Sequence, residues 1–275
     1  MDQNDFNQFR QFLEDACGIS LGENKQYLVS NRIRRILEDN KIDNLGELVR
    51  LLKLGASRRL RDQVIDSMTT NETFWFRDTY PYDHLKNVHF PLLLSSDNKS
   101  LGSVRIWSAA CSSGQEPYSI SIMVEEFKKQ QKGVLPKQVQ IVATDLSTSI
   151  LNQAKSANYD KLSVLRGLSQ ERLERYFDNT DGEAWQLKSF VKERVDFRIL
   201  NLMDSYTSLG KFDIVFCRNV LIYFNADLKR QILQKIRDRL KLGGTLYVGS
   251  SESLSGASDL FEMVKCEPGI YYRAI

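Results

Sequence analysis

The apolar positions of this chain change their period about a third of the way along it. In the first stretch they recur every three or four residues: Phe6, Phe9, Leu13 and Cys17, then Val29, Ile33, Ile36 and Leu37, then Leu60, Val64 and Met68. That spacing lines one face of a helix. It predicts an all-helical N-terminal domain over residues 1–90, with one helix over about 23–40 and two more whose N-caps are Asn44 and Ser57. Beyond residue 103 the apolar residues gather into short runs at 104–107, 139–143, 212–217 and 245–248. Longer amphipathic stretches, 117–131 and 226–240, separate some of these runs. Short buried strands alternating with helices predict an α/β domain over 91–275, a parallel sheet with helices on its faces. The runs 261–266 and 270–273, joined by Glu267-Pro268-Gly269, predict a final antiparallel hairpin. Residues 158–194 break the alternation. A helix near 169–177, a polar turn at 178–183 and strands at 185–191 and 194–200 predict a small β insertion. The polar stretch 95–103 reads as the linker between the two domains.

Four places interrupt this pattern with chemistry. The first strand ends in a string of small residues, Ser108 to Gly114, and Pro117 is placed to open the next helix. Strand, small turn and helix is the layout of a nucleotide-binding crevice, where a ligand lies against backbone and free amides. It is neither a P-loop nor a G-x-G-x-x-G turn, and an ordinary βα turn has the same look. Asp145 follows the second strand, where a doubly wound fold grips a ribose, and where an ordinary cap also sits. The stretch TTNETFWFR, 69–77, opens with Thr69 and Glu72 in capping-box spacing. It then sets Asn71, Thr73 and Arg77 among three consecutive aromatics, Phe74, Trp75 and Phe76. Polar groups among buried rings need partners, from the protein or from a ligand. On the second helix Arg32, Arg34 and Arg35 fan over the polar face. They suit a solvated surface or a docking site for an acidic partner.

Composition narrows the chemistry. The formal net charge is +3 over 275 residues, which makes no case for nucleic acid or an anionic membrane. No apolar run reaches the roughly 20 residues of a membrane span. The N-terminus is acidic and polar, unlike a signal peptide. The four cysteines are widely spaced and read as reduced thiols. With two histidines and no metal-ligand spacing, neither a metal site nor a hydrolytic triad is expected.

Five segments, TTNETFWFR, WSAACSSGQEPYS, ATDLS, NLMD and FCRNVLIYF, follow one another in an order and spacing that resembles the CheR-type chemotaxis receptor methyltransferases. These are protein-glutamate O-methyltransferases. The resemblance spans nearly the whole chain. It implies a Rossmann-like S-adenosylmethionine-dependent methyltransferase domain with a small β insertion, behind a helical domain. It implies a cytoplasmic enzyme, working as a monomer and without metal. Such an enzyme would methylate glutamates on the cytoplasmic helices of chemoreceptors and release S-adenosylhomocysteine. By the same resemblance Asn71, Thr73 and Arg77 line the cofactor site, and Glu116 lies near the methionine part or the ribose. Asp145 holds the ribose, Asn201 and Leu202 form the adenine pocket, and Asn219 and Val220 flank the cofactor. Arg77 and Tyr223 would orient the acceptor carboxylate, and Arg32, Arg34 and Arg35 would face acidic receptor helices. The β insertion is short for a member that grips a tethered receptor tail, which implies tail-independent recognition. A methyltransferase for another acceptor, or a non-catalytic cofactor-binding module, remains the alternative reading. The Asn/Asp-Pro-Pro-aromatic stretch of amino-group methylation is replaced here by RNVLIYF.

Overall fold

A computed structural model describes residues 2–93, 103–131, 138–180 and 182–275. Most of the 95–103 stretch expected as a linker lies outside the described residues. The chain begins with four helices: α1 (Gln3–Cys17), α2 (Gln26–Asn40), α3 (Leu45–Lys53) and α4 (Arg58–Met68). Their starts follow the caps. Asp2 accepts from the amides of Asn4 and Asp5, Asn44 from Glu47, and Ser57 from Leu60. Their apolar stripes meet in one core, in which Phe6, Phe9, Leu13, Val29, Leu48 and Val64 are fully buried. Each such side chain contributes about 1.5–3 kcal/mol on burial.

That core ends at Met68. Thr69 closes α4 instead of opening a new helix, and its hydroxyl donates to the Asp66 carbonyl (2.8 Å). The capping box therefore does not form. The chain must instead carry Trp75 and Phe76 into a second core. There Trp75, Phe76, Tyr82, Leu85 and Phe90 pack with Val104, Ile106 and Tyr118 of the sheet domain. Two short helices, α5 (Tyr80–His84) and α6 (Phe90–Leu93), complete this segment. Residues 75–90 thus belong with the sheet by packing, and a division at residue 90 falls inside that core.

The main sheet has seven strands in the order β6-β2-β1-β7-β8-β10-β9. They are β1 (Val104–Ala109), β2 (Val139–Asp145), β6 (Val195–Ile199), β7 (Phe212–Cys217), β8 (Leu240–Tyr247), β9 (Phe261–Cys266) and β10 (Gly269–Ala274). The five from β6 to β8 are parallel, and β10 runs antiparallel to both β8 and β9. Helices α7 (Gln115–Gln130), α8 (Thr148–Ser156) and α12 (Ala226–Arg237) connect the parallel strands. Between α8 and β6 come β3 (Asn158–Asp160), α9 (Lys161–Leu165), α10 (Gln170–Tyr176), β4 (Phe177–Asn179), β5 (Ala184–Leu187) and α11 (Ser189–Lys192). The three strands of this insertion form a separate antiparallel sheet, β3-β5-β4.

Three boundaries differ from expectation. The insertion's last strand stops at Leu187, because α11 turns Val191 into the core beside α7, where the Val191 carbonyl accepts from the Ser121 hydroxyl (2.8 Å). Helix α7 begins at Gln115, two residues before Pro117, so the proline lies within the first turn, where its missing N–H costs nothing. Finally, α12 ends at Arg237 and β8 starts at Leu240. Gly243 and Gly244 form a bulge inside that strand, as the register with β7 shifts between Phe212 and Ile214. A Cβ on Gly244 would stand 2.9 Å from the Lys241 carbonyl, too close for any other residue.

In this order β1 has β2 on one side and β7 on the other. Connections diverge from that point, and a crevice opens at the carboxyl ends of the three strands. Among the described residues no helix is long and apolar enough to cross a membrane.

Candidate cofactor and acceptor site

The floor of the crevice is the turn after β1. Ala110 (φ 57°), Ser112 (φ 50°) and Gly114 (φ 94°) all take left-handed conformations. Such strain at non-glycine residues persists only where the surroundings enforce it. Here the Cys111 amide donates to the Thr144 carbonyl (2.9 Å), and the Ser112 amide donates to Asp145 Oδ2 (2.8 Å). Cys111 packs with Ala143 and Leu151, and burial raises its thiol well above the ordinary range. It serves as a small apolar group. Asp145 is itself buried, and its Oδ1 accepts from the Ser147 amide (3.0 Å). Burial raises this carboxyl, while the amides of Ser147 and Ser112 pull it back.

Beside it stands a buried charge network. Glu116 accepts from the Ser108 hydroxyl (2.7 Å) and from Arg218 (3.0 Å). Arg218, 1% exposed at its side chain, also donates to Asp78 (2.7 Å) and to the Arg77 carbonyl (2.7 Å). Burial raises the Glu116 carboxyl against the pull of Arg218. The next loop is fixed from beneath by Glu252, which accepts from the amides of Asn219 (2.7 Å), Leu221 (2.8 Å) and Gly249 (2.7 Å). That grip holds Asn219 at φ 59° and presents Asn219, Val220 and Tyr223 to the cavity. Arg218 and Glu252 were not legible as site residues. Arg218 stands directly before Asn219 and Val220 with no pattern of its own, and Glu252 lies in a Ser-rich loop with no motif.

The roof comes from residues 69–77 and from the end of α1. Asn71, Thr73, Phe74 and Arg77 line the cavity. The Arg77 guanidinium lies over the Phe74 ring (5.3 Å) and donates to the Glu72 carbonyl (3.1 Å). Cys17 and Ile19 close the far end with Leu146, Leu200, Asn201 and Leu202. Asn201 donates to the Ala16 carbonyl (2.9 Å), and the Ser20 amide donates to the Tyr223 carbonyl (2.9 Å). The helical domain therefore supplies part of the wall, which no motif in it announced. Gly18 (φ 76°) makes this approach possible, since a Cβ there would meet Leu228 at 2.4 Å.

All of Asn71, Thr73, Arg77, Glu116, Asp145, Asn201, Leu202, Asn219, Val220 and Tyr223 face this one cavity. The arginines of α2 divide. Arg34 and Arg35 are exposed, with Arg35 near Asp39 (3.8 Å). Arg32 turns inward and donates to the Met68 (2.8 Å) and Thr69 (3.1 Å) carbonyls and to the Thr70 hydroxyl (3.1 Å). It braces the entry to the roof and does not share the solvent face expected of it.

The cavity encloses about 1000 Å³, its open mouth included. One end is apolar, with Leu146, Leu200 and Leu202, and suits a flat heterocycle. Asp145 suits hydroxyls, and Glu116 suits an ammonium group. The Nε–H of Arg218 is buried without an acceptor in the protein, an unmet donor behind the cavity wall. These are the demands of S-adenosylmethionine. Among the described residues no cluster of His, Cys, Asp and Glu could hold a metal ion.

Comparison with known proteins agrees with this geometry. Residues 4–69 match the family described as CheR methyltransferase, all-alpha domain, and residues 71–270 match CheR methyltransferase, SAM binding domain. A Pseudomonas putida protein named chemotaxis protein methyltransferase Cher2 is 56% identical over 270 residues, covering 98% of each chain. Chemotaxis protein methyltransferase 1 of Pseudomonas aeruginosa is 55% identical over 270 residues, 98% of this chain and 97% of its own. The Salmonella typhimurium chemotaxis protein methyltransferase is 33% identical over 254 residues, 91% of this chain and 84% of its own. With both halves matched and the cavity between them shaped for the cofactor, this chain belongs to the CheR family of S-adenosylmethionine-dependent methyltransferases.

Proposed function

We propose that this protein transfers a methyl group from S-adenosylmethionine to glutamate carboxylates on the cytoplasmic helices of chemoreceptors. The products are glutamate methyl esters and S-adenosylhomocysteine. One observation carries the choice of acceptor: among the described residues neither histidine nor lysine lines the cavity. His84 and His89 pack with Tyr247 and Tyr271 instead. Burial pushes the one thiol of the roof, Cys17, up to about 11. An amine or hydroxyl acceptor must lose a proton, and the carboxylates of the cavity are already engaged: Asp145 by the Ser112 and Ser147 amides, Glu116 by Ser108 and Arg218, and Glu72 by Arg166. A glutamate, with a pKa of about 4.3, is already ionised at neutral pH.

When bound, the cofactor supplies the electrophilic methyl and its own leaving group. The residues of the chain orient the partners and exclude water, a contribution worth several kcal/mol in such reactions. Asp145 and Glu116 hold the cofactor. Arg77 and Tyr223 orient the acceptor carboxylate with charge-assisted hydrogen bonds. Arg34 and Arg35 attract the acidic receptor helix. One copy of the chain supplies the wall of the described cavity, which supports a working monomer. The short β insertion supports recognition without a tethered receptor tail.

Methyl-labelled S-adenosylmethionine and receptor-bearing membranes test this reading. The expected result is label on a receptor band that alkali releases as volatile methanol, and that Asp145→Ala abolishes. Alkali-resistant label would assign a different acceptor class. Absence of label, with S-adenosylhomocysteine still bound, would make the protein a cofactor-binding module.

A further inference from the structure

The proposed function leaves unused a pair of charges at the rim of the cavity. Glu72 and Phe74 line the cavity, and Arg166 touches both from outside it. Arg166 Nη2 lies 2.5 Å from Glu72 Oε1, and its guanidinium lies over the Phe74 ring (4.8 Å). The Arg77 guanidinium stands over that same ring (5.3 Å). Arg77 and Arg166 thus share one aromatic support, and Arg77 is the group placed against the acceptor. Arg166 and Glu72 remain half in solvent, with side chains 53% and 56% exposed.

The position of Arg166 is set by backbone, not by its partner. The Trp75 amide donates to the Arg166 carbonyl (3.2 Å). Gly167 (φ 101°) follows, and a Cβ there would lie 2.0 Å from the Trp75 carbonyl. The loop from the β insertion is therefore pressed against the roof, and its apolar residues Leu162 (81%) and Leu165 (56%) face outward beside Arg166. The hydrogen bond from Arg166, reinforced by its charge, draws the Glu72 carboxyl below its ordinary range. Exposed pairs of this kind hold weakly, so exchanging one carboxylate for another costs little.

We infer that Arg166 is a positioning residue for the acceptor, and that Glu72 occupies its guanidinium until a second carboxylate on the incoming polypeptide replaces it. The inference rests on the carboxylate-methylating reading and deepens it. The enzyme recognises an acidic neighbourhood around the reacting glutamate, not that glutamate alone. Glu72 competes with the substrate for Arg166, so the two substitutions have opposite effects. Glu72→Gln frees Arg166 and lowers the KM for the acceptor about two- to threefold. Arg166→Ala raises it about fivefold, and Arg166→Lys recovers part of that loss. In each case the change in KM exceeds any change in kcat or in the affinity for S-adenosylhomocysteine. Both KM effects shrink at high salt, where exposed charges are screened.

Steady-state methylation of receptor membranes at saturating cofactor, with calorimetry of S-adenosylhomocysteine, tests this. Opposite shifts in KM support the exchange. If Glu72→Gln and Arg166→Ala both raise KM, or both weaken product binding, the pair is only a brace for the roof and the inference falls. An unchanged KM in Arg166→Ala overturns it too. Failure of the unmodified enzyme to form alkali-labile label would remove the underlying reading, and the inference with it.

Discussion

The floor and the roof of the cavity are held in different ways. On the floor Asp145, Glu116, Arg218 and Glu252 are buried or nearly so, and each has two or more partners. On the roof Asn71, Thr73 and Arg77 are half-exposed. Their segment is anchored through Trp75 and Phe76 in the sheet core, but their own side chains make few bonds, such as Arg77 to the Glu72 carbonyl (3.1 Å). On the proposed reading the floor meets the same small molecule in every turnover, so a rigid site loses nothing by being finished in advance. The roof must admit a large acceptor and release it, and elements that move come from the weakly held parts of a fold.

The contrast breaks most severely at Arg218. Arg218→Met leaves Glu116 and Asp78 without their shared counter-charge, and removing one partner of a buried pair costs about 3–5 kcal/mol. Urea unfolding should register that loss, and cofactor binding should vanish with it. Asp145→Asn keeps the shape but removes the charge. S-adenosylhomocysteine should bind about tenfold to a hundredfold more weakly, each factor of ten being about 1.4 kcal/mol. Arg77→Ala tests the roof. There kcat/KM for the acceptor should fall about tenfold or more while product binding changes less. Unaltered kcat/KM in a folded Arg77→Ala protein would remove Arg77 from the acceptor step.

The two regions also differed in how much of them could be read from sequence. Asp145 and the small-residue turn after β1 follow from a strand-turn-helix pattern with a local cause. The four N-terminal helices follow from apolar spacing and from the Asn44 and Ser57 caps. The roof departs from its sequence pattern where its geometry depends on distant residues. Thr69 and Glu72 have capping-box spacing, yet Trp75 and Phe76 are pulled into the core of the sheet and no helix starts. Arg32 has the spacing of a surface residue, but its reach to the Met68 and Thr69 carbonyls depends on where α4 ends. Arg218 is invisible for the same reason, as its four partners lie at least a hundred residues away in the chain.

Acidity should act on the floor and sharpen the same contrast. Asp145 and Glu116 ordinarily titrate near 3.9 and 4.3. Burial raises both in the fold. Below the ordinary range each is protonated whether the chain is folded or not, so the shift has no effect on stability there. As pH rises through the ordinary value toward the raised one, the unfolded chain ionises first, and the shift costs the cofactor-free protein stability. Cofactor binding has the opposite sign, since ribose hydroxyls and an ammonium group favour the ionised carboxylates. Titrations of S-adenosylhomocysteine from about pH 7 to pH 4 should therefore show affinity falling with acidity, by at most tenfold per unit for each group. Asp145→Asn should flatten that dependence.

The smallest effect belongs farthest from the chemistry. Arg34 and Arg35 lie on the solvent face of α2, whereas Arg32 is committed to the roof. If the helical domain steers an acidic receptor helix, its contribution is long-range attraction between exposed charges, which salt screens within about 8 Å at physiological strength. Arg34→Glu with Arg35→Glu should raise the KM for receptors a few-fold at low ionic strength, with kcat and cofactor affinity unchanged, and the difference should close as salt is added. Arg32→Glu must act differently, because it cuts three hydrogen bonds to residues 68–70 and so disturbs the roof itself. Its loss should persist at high salt and should appear in kcat. A salt-independent loss in the double variant would mean that α2 also shapes the site, and the division between a steering surface and a chemical roof would have to be redrawn.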